Sequence, residues 1–270
     1  MEKICVITGG GSGMGLETAK FMKGKTVILS GRTVSKLDHA VKELESLGIR
    51  AIAQPCDTSD RASVKALAEF AASQGEITTV INCAGMSPTM AGGEMLIRVN
   101  ALGTIYVNQE FSKLLKKGVI VDISSNSAYS LPNMIIPKKA YELAETDEEA
   151  FVKKLLKQAN IAKGDYNKAG FAYALSKNFV VWYAQKSAFE LGRKDIRVVS
   201  LSPGLIDTGM GKKEASHGDF LLKTTAEGRM GKPEELGFAI ASVADERNGY
   251  LAGVDILCDG GATNGKNFLK

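Results

Sequence analysis

A tyrosine and a lysine lie four positions apart in the segment FAYALSKNFVVWYAQ, as Tyr173 and Lys177. The segment is mostly apolar and is typical of a helix, on which residues four apart share a face. A nearby ammonium group favours the phenolate and brings the pKa of a phenol towards working pH, so the tyrosine can act as a general acid or base. On their own, the two residues are more typical of a buried helix with a lysine stem lying along it. Other chemical groups must therefore decide between these interpretations.

Hydroxyl groups that could join the pair follow the β-branched run VIVDIS, as Ser124, Ser125 and Ser127. A hydroxyl placed against a substrate oxygen donates a hydrogen bond at the atom where negative charge develops. The run alone does not choose among the three serines.

A glycine-rich turn, TGGGSGMG, joins the strand-like run ICVIT to the helical LETAKFM. Gly9 permits a sharp turn, Gly13 lets backbone approach a pyrophosphate, and Gly15 lets the helix pack against the strand. The amino end of the helix then faces the anion. A turn without a ligand is the alternative, but strand, turn and helix in this order favour a dinucleotide. The residues predicted to contact it are Thr8, Gly9, Gly11, Ser12, Gly13, Met14 and Gly15.

The end of the second strand-like run, TVILSGRT, bears on the choice of dinucleotide. Folds that use NAD commonly carry an acidic residue here for the ribose hydroxyls, whereas this chain has Gly31, Arg32 and Thr33. An arginine suits a 2′-phosphate, although it is also common at a solvated strand end. NADP(H) is therefore favoured as the cofactor, and NAD(H) stays open.

The third strand-like run ends in AQPCDTSD. Asp57 can accept a hydrogen bond from an adenine amino group, so Cys56, Asp57 and Thr58 join the predicted cofactor site. Thr58 or Ser59 is predicted to cap the following helix, and capping alone would explain most of this stretch.

Seven β-branched runs must bring these groups to one edge of a sheet, and helical stretches separate most of them. The alternation predicts a parallel sheet with right-handed crossovers and helices on both faces. The expected fold is α/β, a single Rossmann-fold domain over residues 1–270 with a doubly wound sheet of about seven strands. The runs are ICVIT, TVILS, AIAQP, TVINC, VIVDIS, RVVSLS and VDILC.

One segment, at about residues 130–166, interrupts the alternation before the YALSK motif. A plain loop of this length would be unusual. Apolar residues at helical spacing, including Phe151 and Leu155, lie between acids at the start and lysines later, which predicts a helix from Asp147 to Ala162. The segment is therefore expected to be a folded, helical insertion.

Composition argues against several classes of protein. The formal charge of +4 comes from scattered lysines and arginines, so no nucleic-acid partner is expected. The first apolar run is too short for a signal sequence or membrane span, and a cytoplasmic protein without a membrane partner is expected. His39 and His217 show no ligand spacing, so no metal is predicted. The four cysteines are far apart and are expected to be small buried side chains.

Six motifs in order, with a final DGG, give the chain a resemblance to a known family. They are TGGGSGMG, NCAG, the RVNALGT that holds Asn100, the serine pair, YALSK and PGLIDT. With them the sequence resembles the classical short-chain dehydrogenases/reductases over almost its whole length. The resemblance implies that Tyr173 is the proton donor or acceptor and that Lys177 is its electrostatic partner. It also implies that Ser125 is the second hydrogen-bond donor to the substrate oxygen and that Asn100 holds a relay water.

The resemblance also enlarges the predicted cofactor site. It implies that Lys177 holds the nicotinamide ribose and that Ile206 and Thr208 hold the carboxamide. In two places the chain departs from the family pattern: Cys83 replaces a second asparagine, and Ser12 stands where many NADP(H) members carry a basic residue. The added residues are Asn82, Cys83, Ala84, Gly85, Tyr173, Lys177, Pro203, Gly204, Ile206 and Thr208.

The lengths of two connections bear on the substrate. The connection from NCAG to Asn100 is short and that from Ser125 to Tyr173 is long, which resembles the 3α-hydroxysteroid dehydrogenase/carbonyl reductase branch. The expected activity is NAD(P)(H)-dependent interconversion of a secondary alcohol and a ketone, with a hydroxysteroid or other bulky carbonyl compound as the small-molecule substrate. A 3-ketoacyl-thioester reductase and a non-catalytic NADP(H)-sensing protein are the alternatives.

The walls of the pocket and the oligomer surface are also predicted. The insertion could be a lid, a pocket wall bearing Leu131, Met134, Ile135 and Ile136, or an interface element. The segment 209–225 is expected to supply the opposite wall through Met210, Phe220 and Leu221. The family resemblance makes the YALSK helix an oligomer surface, which the insertion either covers or extends, and a homodimer or a homotetramer is expected. The residues of that surface are Phe179, Trp182, Tyr183 and Phe189.

Overall fold

A parallel β-sheet forms the centre of the fold in the computed structural model, which describes residues 1–215 and 222–268. Within these residues, seven strands are hydrogen-bonded in the order β3-β2-β1-β4-β5-β6-β7, and every pairing is parallel. The α/β prediction of a doubly wound sheet is confirmed. The strands are β1 Lys3–Thr8, β2 Thr26–Gly31, β3 Ala51–Pro55, β4 Glu76–Asn82, β5 Gly118–Ile123, β6 Ile196–Pro203 and β7 Asp255–Cys258.

The strand order changes direction at β1, which lies between β2 and β4. Register brings the last residue of β1, Thr8, opposite Ser30 on one side and Asn82 on the other. Open α/β sheets bind ligands in the crevice at such a switch point, beyond the carboxyl ends of the strands. The topology therefore places the glycine-rich turn at the expected ligand-binding edge.

Helices cover both faces of the sheet, which explains why the strands are apolar on both sides. One hydrophobic cluster joins the sheet to α3, α5 and α8, and a second joins it to α1, α2 and α10. In the part of the chain described, no helix has the length and apolar character needed to cross a bilayer. The helices are α1 Gly13–Ala19, α2 Val34–Ser46, α3 Arg61–Gln74, α4 Gly93–Ile97, α5 Gly103–Ser112, α6 Lys138–Tyr141, α7 Glu148–Ala159, α8 Asp165–Leu191, α9 Gly209–Ala215, α10 Pro233–Ala244 and α11 Ala262–Gly265.

The cap of α3 differs from the prediction. The side chain of Asp60, not that of Thr58 or Ser59, accepts a hydrogen bond from the Ala62 nitrogen at 2.9 Å. The helix begins one or two residues later than expected, and a carboxylate at that position satisfies a free backbone N–H of the first turn.

The insertion folds as helices, as predicted, and α7 forms within the predicted range. Its aromatic side chains pack on α8: the ring centroid of Phe179 lies 5.1 Å from that of Tyr141 and 4.9 Å from that of Phe151. Phe179 and Tyr183 are buried, whereas Phe189, further along α8, is 88% exposed. The insertion therefore covers much of the face of α8 that was predicted to make oligomer contacts.

Ion pairs fasten the insertion to three neighbouring helices or turns. Glu148 pairs with Arg61 of α3, Glu149 pairs with Arg98 just after α4, and Glu145 pairs with Lys186 of α8. The hydroxyl of Tyr141 donates to the carbonyl oxygen of Leu175 at 3.2 Å. Through these contacts the insertion forms a packed cover on α8.

Candidate active site

The long helix α8 positions Tyr173 and Lys177 one turn apart. The Nζ atom of Lys177 lies 5.9 Å from the centroid of the Tyr173 ring. The lysine is buried and the tyrosine is partly exposed. The pair therefore has the shared face and the enclosure that an electrostatic effect of the ammonium on the phenol requires.

Strand β5 approaches α8 from the carboxyl edge of the sheet. Lys177 Nζ donates to the carbonyl oxygen of Ile123 at 2.9 Å, and Ser124 Oγ donates to the carbonyl oxygen of Lys177 at 2.7 Å. Ser124 is thereby used to hold the helix. Ser125, the next residue, has extended backbone, and its Oγ accepts from the Ser127 nitrogen at 3.2 Å. Ser124 is engaged with α8 in this way, and the role of Ser125 toward a substrate stays a prediction.

Asn100 lies in a π-helical turn, Arg98–Leu102, between α4 and α5. π-Helical turns are rare in proteins, and many of those that occur are found at functional sites. Its side chain accepts from the Met86 nitrogen at 2.9 Å and donates to the Met86 carbonyl oxygen at 3.0 Å and to Ser176 Oγ at 3.2 Å. Asn100 therefore holds the loop after β4 against α8, and its predicted relay water stays a prediction.

Gly85 connects this group to the nucleotide cleft. A Cβ atom added at Gly85 would lie 3.2 Å from Asn100 Oδ1 and 3.3 Å from Lys177 Nζ. Gly85 also lines the cleft at the switch point. A cofactor lying along this loop would therefore come directly against the lysine.

The glycine-rich turn has the geometry that a phosphate cradle needs. Gly9 has φ +67°, and a Cβ there would lie 2.9 Å from the Ala84 nitrogen. A Cβ on Gly15 would lie 2.5 Å from the carbonyl oxygen of Gly9, a separation that no side chain tolerates. The residues present thus fit a bound dinucleotide, because the glycines allow the close backbone approaches that the turn requires.

Most of the predicted cofactor residues line two adjoining cavities along the carboxyl edge of the sheet. The two cavities share Gly9, Ser12, Ala84 and Gly85. The predicted residues found there are Thr8, Gly9, Gly11, Ser12, Gly13, Met14, Gly15, Gly31, Arg32, Thr33, Cys56, Asp57, Thr58, Cys83, Ala84, Gly85 and Thr208.

Six predicted cofactor residues do not line these cavities; two of them are Tyr173 and Lys177 of α8, described above, and the other four lie elsewhere. Asn82 is buried beneath the cleft, where its Oδ1 accepts from Thr8 Oγ1 at 2.8 Å. Pro203 and Ile206 are buried, and a Cβ on Gly204 would lie 2.8 Å from that of Asp259. Asn82 therefore shapes the cleft from behind, and the contacts of the other three with a carboxamide stay predictions.

The sequence interpretation missed a second cation in the cleft. Lys36 lines both cavities, on the first turn of α2 and four residues after Arg32. The signal was present, because Lys36 lies in the first turn of a helix that starts at the carboxyl edge, beside the crevice. Met86, Met90, Met210 and Lys213 also line the cleft.

Electrostatics at the cleft follows from burial and near neighbours. Burial alone would raise the pKa of Asp57, but hydrogen bonds from Ser59 and the nearby charge of Arg32 lower it overall. Asp57 is therefore a carboxylate, able to accept a hydrogen bond. Burial raises the pKa of the Cys83 thiol to about 12, against the opposing effect of Lys177, so this residue is neutral and unreactive.

Metal ligation was not predicted for this chain. Over residues 1–215 and 222–268, no group of three or more His, Cys, Asp or Glu side chains is placed to hold a metal ion. His217 lies outside the described residues, as do Phe220 and Leu221 of the predicted pocket wall.

The doubly wound sheet, the glycine turn at its switch point and the Tyr173–Lys177 pair define a Rossmann-type nucleotide-binding protein. The chain matches a family model described as short chain dehydrogenase over residues 3–136 and one described as Enoyl-(Acyl carrier protein) reductase over residues 157–263. It belongs to the short-chain dehydrogenase/reductase family, whose members are NAD(P)-linked oxidoreductases. The family resemblance is thus confirmed.

Several characterised relatives match the chain along almost its full length. A short-chain dehydrogenase/reductase of Alternaria brassicicola is 29% identical and covers 97% of this chain and 96% of its own. The 3-oxoacyl-(acyl-carrier-protein) reductase FabG of Thermotoga maritima is 26% identical, with 96% and 97% covered. The 7α-hydroxysteroid dehydrogenase of Escherichia coli is 25% identical, with 98% and 96% covered.

Solved structures agree on the fold. A short-chain dehydrogenase/reductase from Serratia marcescens superposes with a TM-score of 0.78 at 23% identity, covering 97% of this chain and 98% of its own. A short chain dehydrogenase from Burkholderia cenocepacia in complex with NADP gives 0.76 at 24% identity, covering 97% of each chain.

Proposed function

We propose that this protein is an NADP(H)-preferring oxidoreductase that interconverts a secondary alcohol and a ketone. The observation that carries the proposal is the position of Lys177, whose Nζ lies 5.9 Å from the Tyr173 ring centroid and beside Gly85 of the nucleotide cleft. The nucleotide cleft and the acid–base pair therefore adjoin.

In this mechanism side chains of the protein carry out the proton transfer. Tyr173 passes a proton to or from the substrate oxygen, and Ser125 donates a second hydrogen bond to that oxygen. The ammonium of Lys177 favours the phenolate. When bound, the nicotinamide supplies or accepts the hydride. Asn100 keeps the loop after β4 in place, so that the cofactor and the acid–base pair stay aligned.

The preference for NADP(H) is supported by two cations. Arg32 and Lys36 line the same cavity as Asp57, and either cation could pair with a 2′-phosphate bound there. The Burkholderia cenocepacia structure in complex with NADP supports the proposal at the level of the fold.

The cofactor proposal is tested with Arg32→Ala and Lys36→Ala. Each variant should raise the KM for NADPH about tenfold or more, because a charge-assisted hydrogen bond to phosphate is lost, and should leave the KM for NADH nearly unchanged. Lys42→Ala is the matched control, since Lys42 is exposed on the same helix and does not belong to the residues that line the cleft. A wild-type preference for NADH would overturn the assignment.

A bulky, apolar carbonyl compound or hydroxysteroid is the proposed substrate. Met90 and Met210 are partly exposed and line the same cavity as Thr208, which gives its mouth a flexible apolar character. The likeness to the Escherichia coli hydroxysteroid dehydrogenase supports the choice. The insertion contributes less than expected, since Ile136 is buried in the core and Met134 is exposed to solvent.

A 3-ketoacyl-thioester reductase is the second candidate, and the likeness to the Thermotoga maritima enzyme favours it. Specificity constants for steroid ketones, aromatic ketones and acetoacetyl thioesters separate the two. The highest value for a thioester would replace the first proposal with the second.

Turnover itself is tested with Tyr173→Phe, which should lower kcat by about 10²-fold to 10⁴-fold while cofactor still binds. Tyr166→Phe, seven residues earlier on α8, is the matched control and should keep activity. Full turnover in Tyr173→Phe would refute the mechanism, and cofactor binding without turnover of any substrate would favour a sensing protein.

Association with a second copy is proposed as well. Because the insertion covers much of the outer face of α8, we place the dimer contact at α10 and the edge strand β7. Phe238 is 61% exposed there, with its ring 5.6 Å from that of Phe21. The exposed aromatic pair on one side and the open sheet edge at β7 on the other are both surfaces that association would bury.

A further inference from the structure

A buried carboxylate lies behind the proposed acid–base pair and has no part in the mechanism given above. Asp122, near the end of β5, is fully buried. Its Oδ1 accepts from Asn82 Nδ2 at 3.2 Å, and its Oδ2 accepts from Asn108 Nδ2 at 2.8 Å. Both partners are neutral amides, so they satisfy hydrogen bonds without supplying a countercharge.

The positive charge that acts on Asp122 is that of Lys177. Its Nζ donates to the carbonyl oxygen of Ile123, the residue that follows Asp122. Burial raises the pKa of the Asp122 carboxyl to about 6, and hydrogen bonds from Asn108 and Asn82 and the charge of Lys177 oppose that rise. The carboxylate and the ammonium therefore influence each other inside the protein, where salt screens them little.

The same carboxylate reaches the cofactor side of the site through hydrogen bonds. Asn82 accepts from Thr8 Oγ1, which in turn accepts from the Ala84 nitrogen at 3.1 Å. Thr8 and Ala84 both line the cleft. Asp122 thus lies between the nucleotide turn and the helix that bears the acid–base pair.

We propose that Asp122 is a positioning residue for the reaction: its buried negative charge balances the ammonium of Lys177 and so sets the proton affinity of Tyr173. The inference rests on the proposed function, because it assumes that Tyr173 transfers the proton. Without the carboxylate, the ammonium acts on the phenol unopposed and the phenolate becomes easier to form.

Other groups face Asp122 from the elements packed against it. Tyr183 of α8 also interacts electrostatically with Asp122. Burial and the neighbouring Glu145 raise the pKa of Tyr183, so the Tyr183 phenol stays neutral. From β6, Ser200 is the register partner of Asp122, and from β4 and α5 come the two neutral amides. Within the described residues, Lys177 is thus the cation whose positive charge the Asp122 carboxylate offsets.

Asp122→Asn removes the charge while keeping the hydrogen bonds. Asn108 Oδ1 is a buried acceptor without a hydrogen-bond partner among the described residues. If the Asn108 amide turns over, this oxygen accepts from the new amide group and the bond between the two side chains is kept. The variant therefore probes charge rather than shape.

The first experiment is the pH profile of kcat/KM for alcohol oxidation. Asp122→Asn should move the acid limb to lower pH by about one unit, because the phenolate forms more readily. Asp122→Asn with Asn108→Asp restores one negative charge to the pair and should return the limb to its wild-type position. The inference would be overturned if the acid limb of Asp122→Asn stayed at the wild-type position. It would also be overturned if the acid limb were displaced equally in the single and the double variant.

A second experiment needs no turnover and no folded Asp122 variant. NMR titration of the carboxyl-labelled wild-type enzyme gives the pKa of Asp122, and the same titration is made with Lys177→Met. Coupled groups affect each other reciprocally, so the pKa of Asp122 should rise in the variant. An unchanged value would end this inference, whereas failure of Tyr173→Phe to lose activity would end the proposed function; the two failures are distinguishable.

Discussion

Lys177 donates a hydrogen bond of 2.9 Å to the carbonyl oxygen of Ile123, so the ammonium is fixed between α8 and the end of β5. A fixed cation is able to act on the Tyr173 phenol without the entropy loss of a free lysine chain. We expect Lys177→Met to lower kcat/KM by about 10²-fold to 10⁴-fold. Lys177→Arg keeps the charge but places a wider, planar group in a buried site, so it should recover only part of the activity. Near wild-type turnover in Lys177→Met would contradict this account.

Gly85→Ala should impair cofactor binding and turnover together. The added Cβ would lie 3.2 Å from Asn100 Oδ1 and 3.3 Å from Lys177 Nζ, so at least one of these groups must move. Steady-state kinetics should show a raised cofactor KM and a lowered kcat. Gly170→Ala is the control: Gly170 lies inside α8 with nothing within 4 Å, and alanine there should stabilise the helix by about 0.5–1 kcal/mol with activity unchanged.

The fold and much of the site followed from local sequence. Strand runs such as ICVIT are apolar because both faces of a parallel sheet are buried, and Gly15 is required by a backbone contact within its own turn. Tyr173 and Lys177 share a face because helical spacing is fixed. These features depend on neighbours along the chain, which is why the sequence predicted them.

Other features depend on distant parts of the chain. Asp122 was hidden in the apolar run VIVDIS, since its partners Asn82 and Asn108 come from a different strand and a helix. The cover over Phe179 required the tertiary position of Tyr141. The prediction of the α3 cap was wrong for a simpler reason. Several residues in AQPCDTSD can cap a helix, and only the backbone geometry selects among them.

The insertion should contribute strongly to stability. Phe151 is fully buried against Phe179 and Tyr141, so Phe151→Ala should lower the free energy of unfolding by about 3–5 kcal/mol. Ile161→Ala, at an exposed position just after α7, should change it by less than about 0.5 kcal/mol. Urea unfolding of both variants provides the comparison, and equal effects would mean that the insertion is not part of the cooperative core.

The oligomeric state distinguishes the two outer helices. Phe238→Glu on α10 should convert the proposed dimer to monomer, because it buries a charge in an apolar contact. Phe189→Glu on α8 makes the same change at a position that is 88% exposed, beyond the cover formed by the insertion, and should leave the dimer intact. Sedimentation velocity measures both. If only Phe189→Glu dissociated the dimer, the dimer interface would lie on α8 and not on α10.

Asp122 should make the stability of the protein depend on pH in the direction opposite to that of an ion-paired carboxylate. Burial raises its pKa to about 6 in the folded state, above the value of about 3.9 expected when unfolded, so the folded protein binds the extra proton. This contribution to stability is complete below about pH 4 and is lost as the pH rises through about 6.

Since one pKa unit corresponds to about 1.4 kcal/mol, the ionised carboxylate should cost the fold roughly 3 kcal/mol at neutral pH. Urea unfolding of the wild type and of Asp122→Asn at about pH 4.5 and about pH 8 tests this. The variant should gain stability relative to the wild type as the pH rises, because it has no charge to bury. If the difference between the two proteins were the same at both pH values, the Asp122 carboxyl would not have a raised pKa. A buried charge that costs stability is better explained by its effect on Lys177 than by a structural need, because an asparagine could make the same hydrogen bonds.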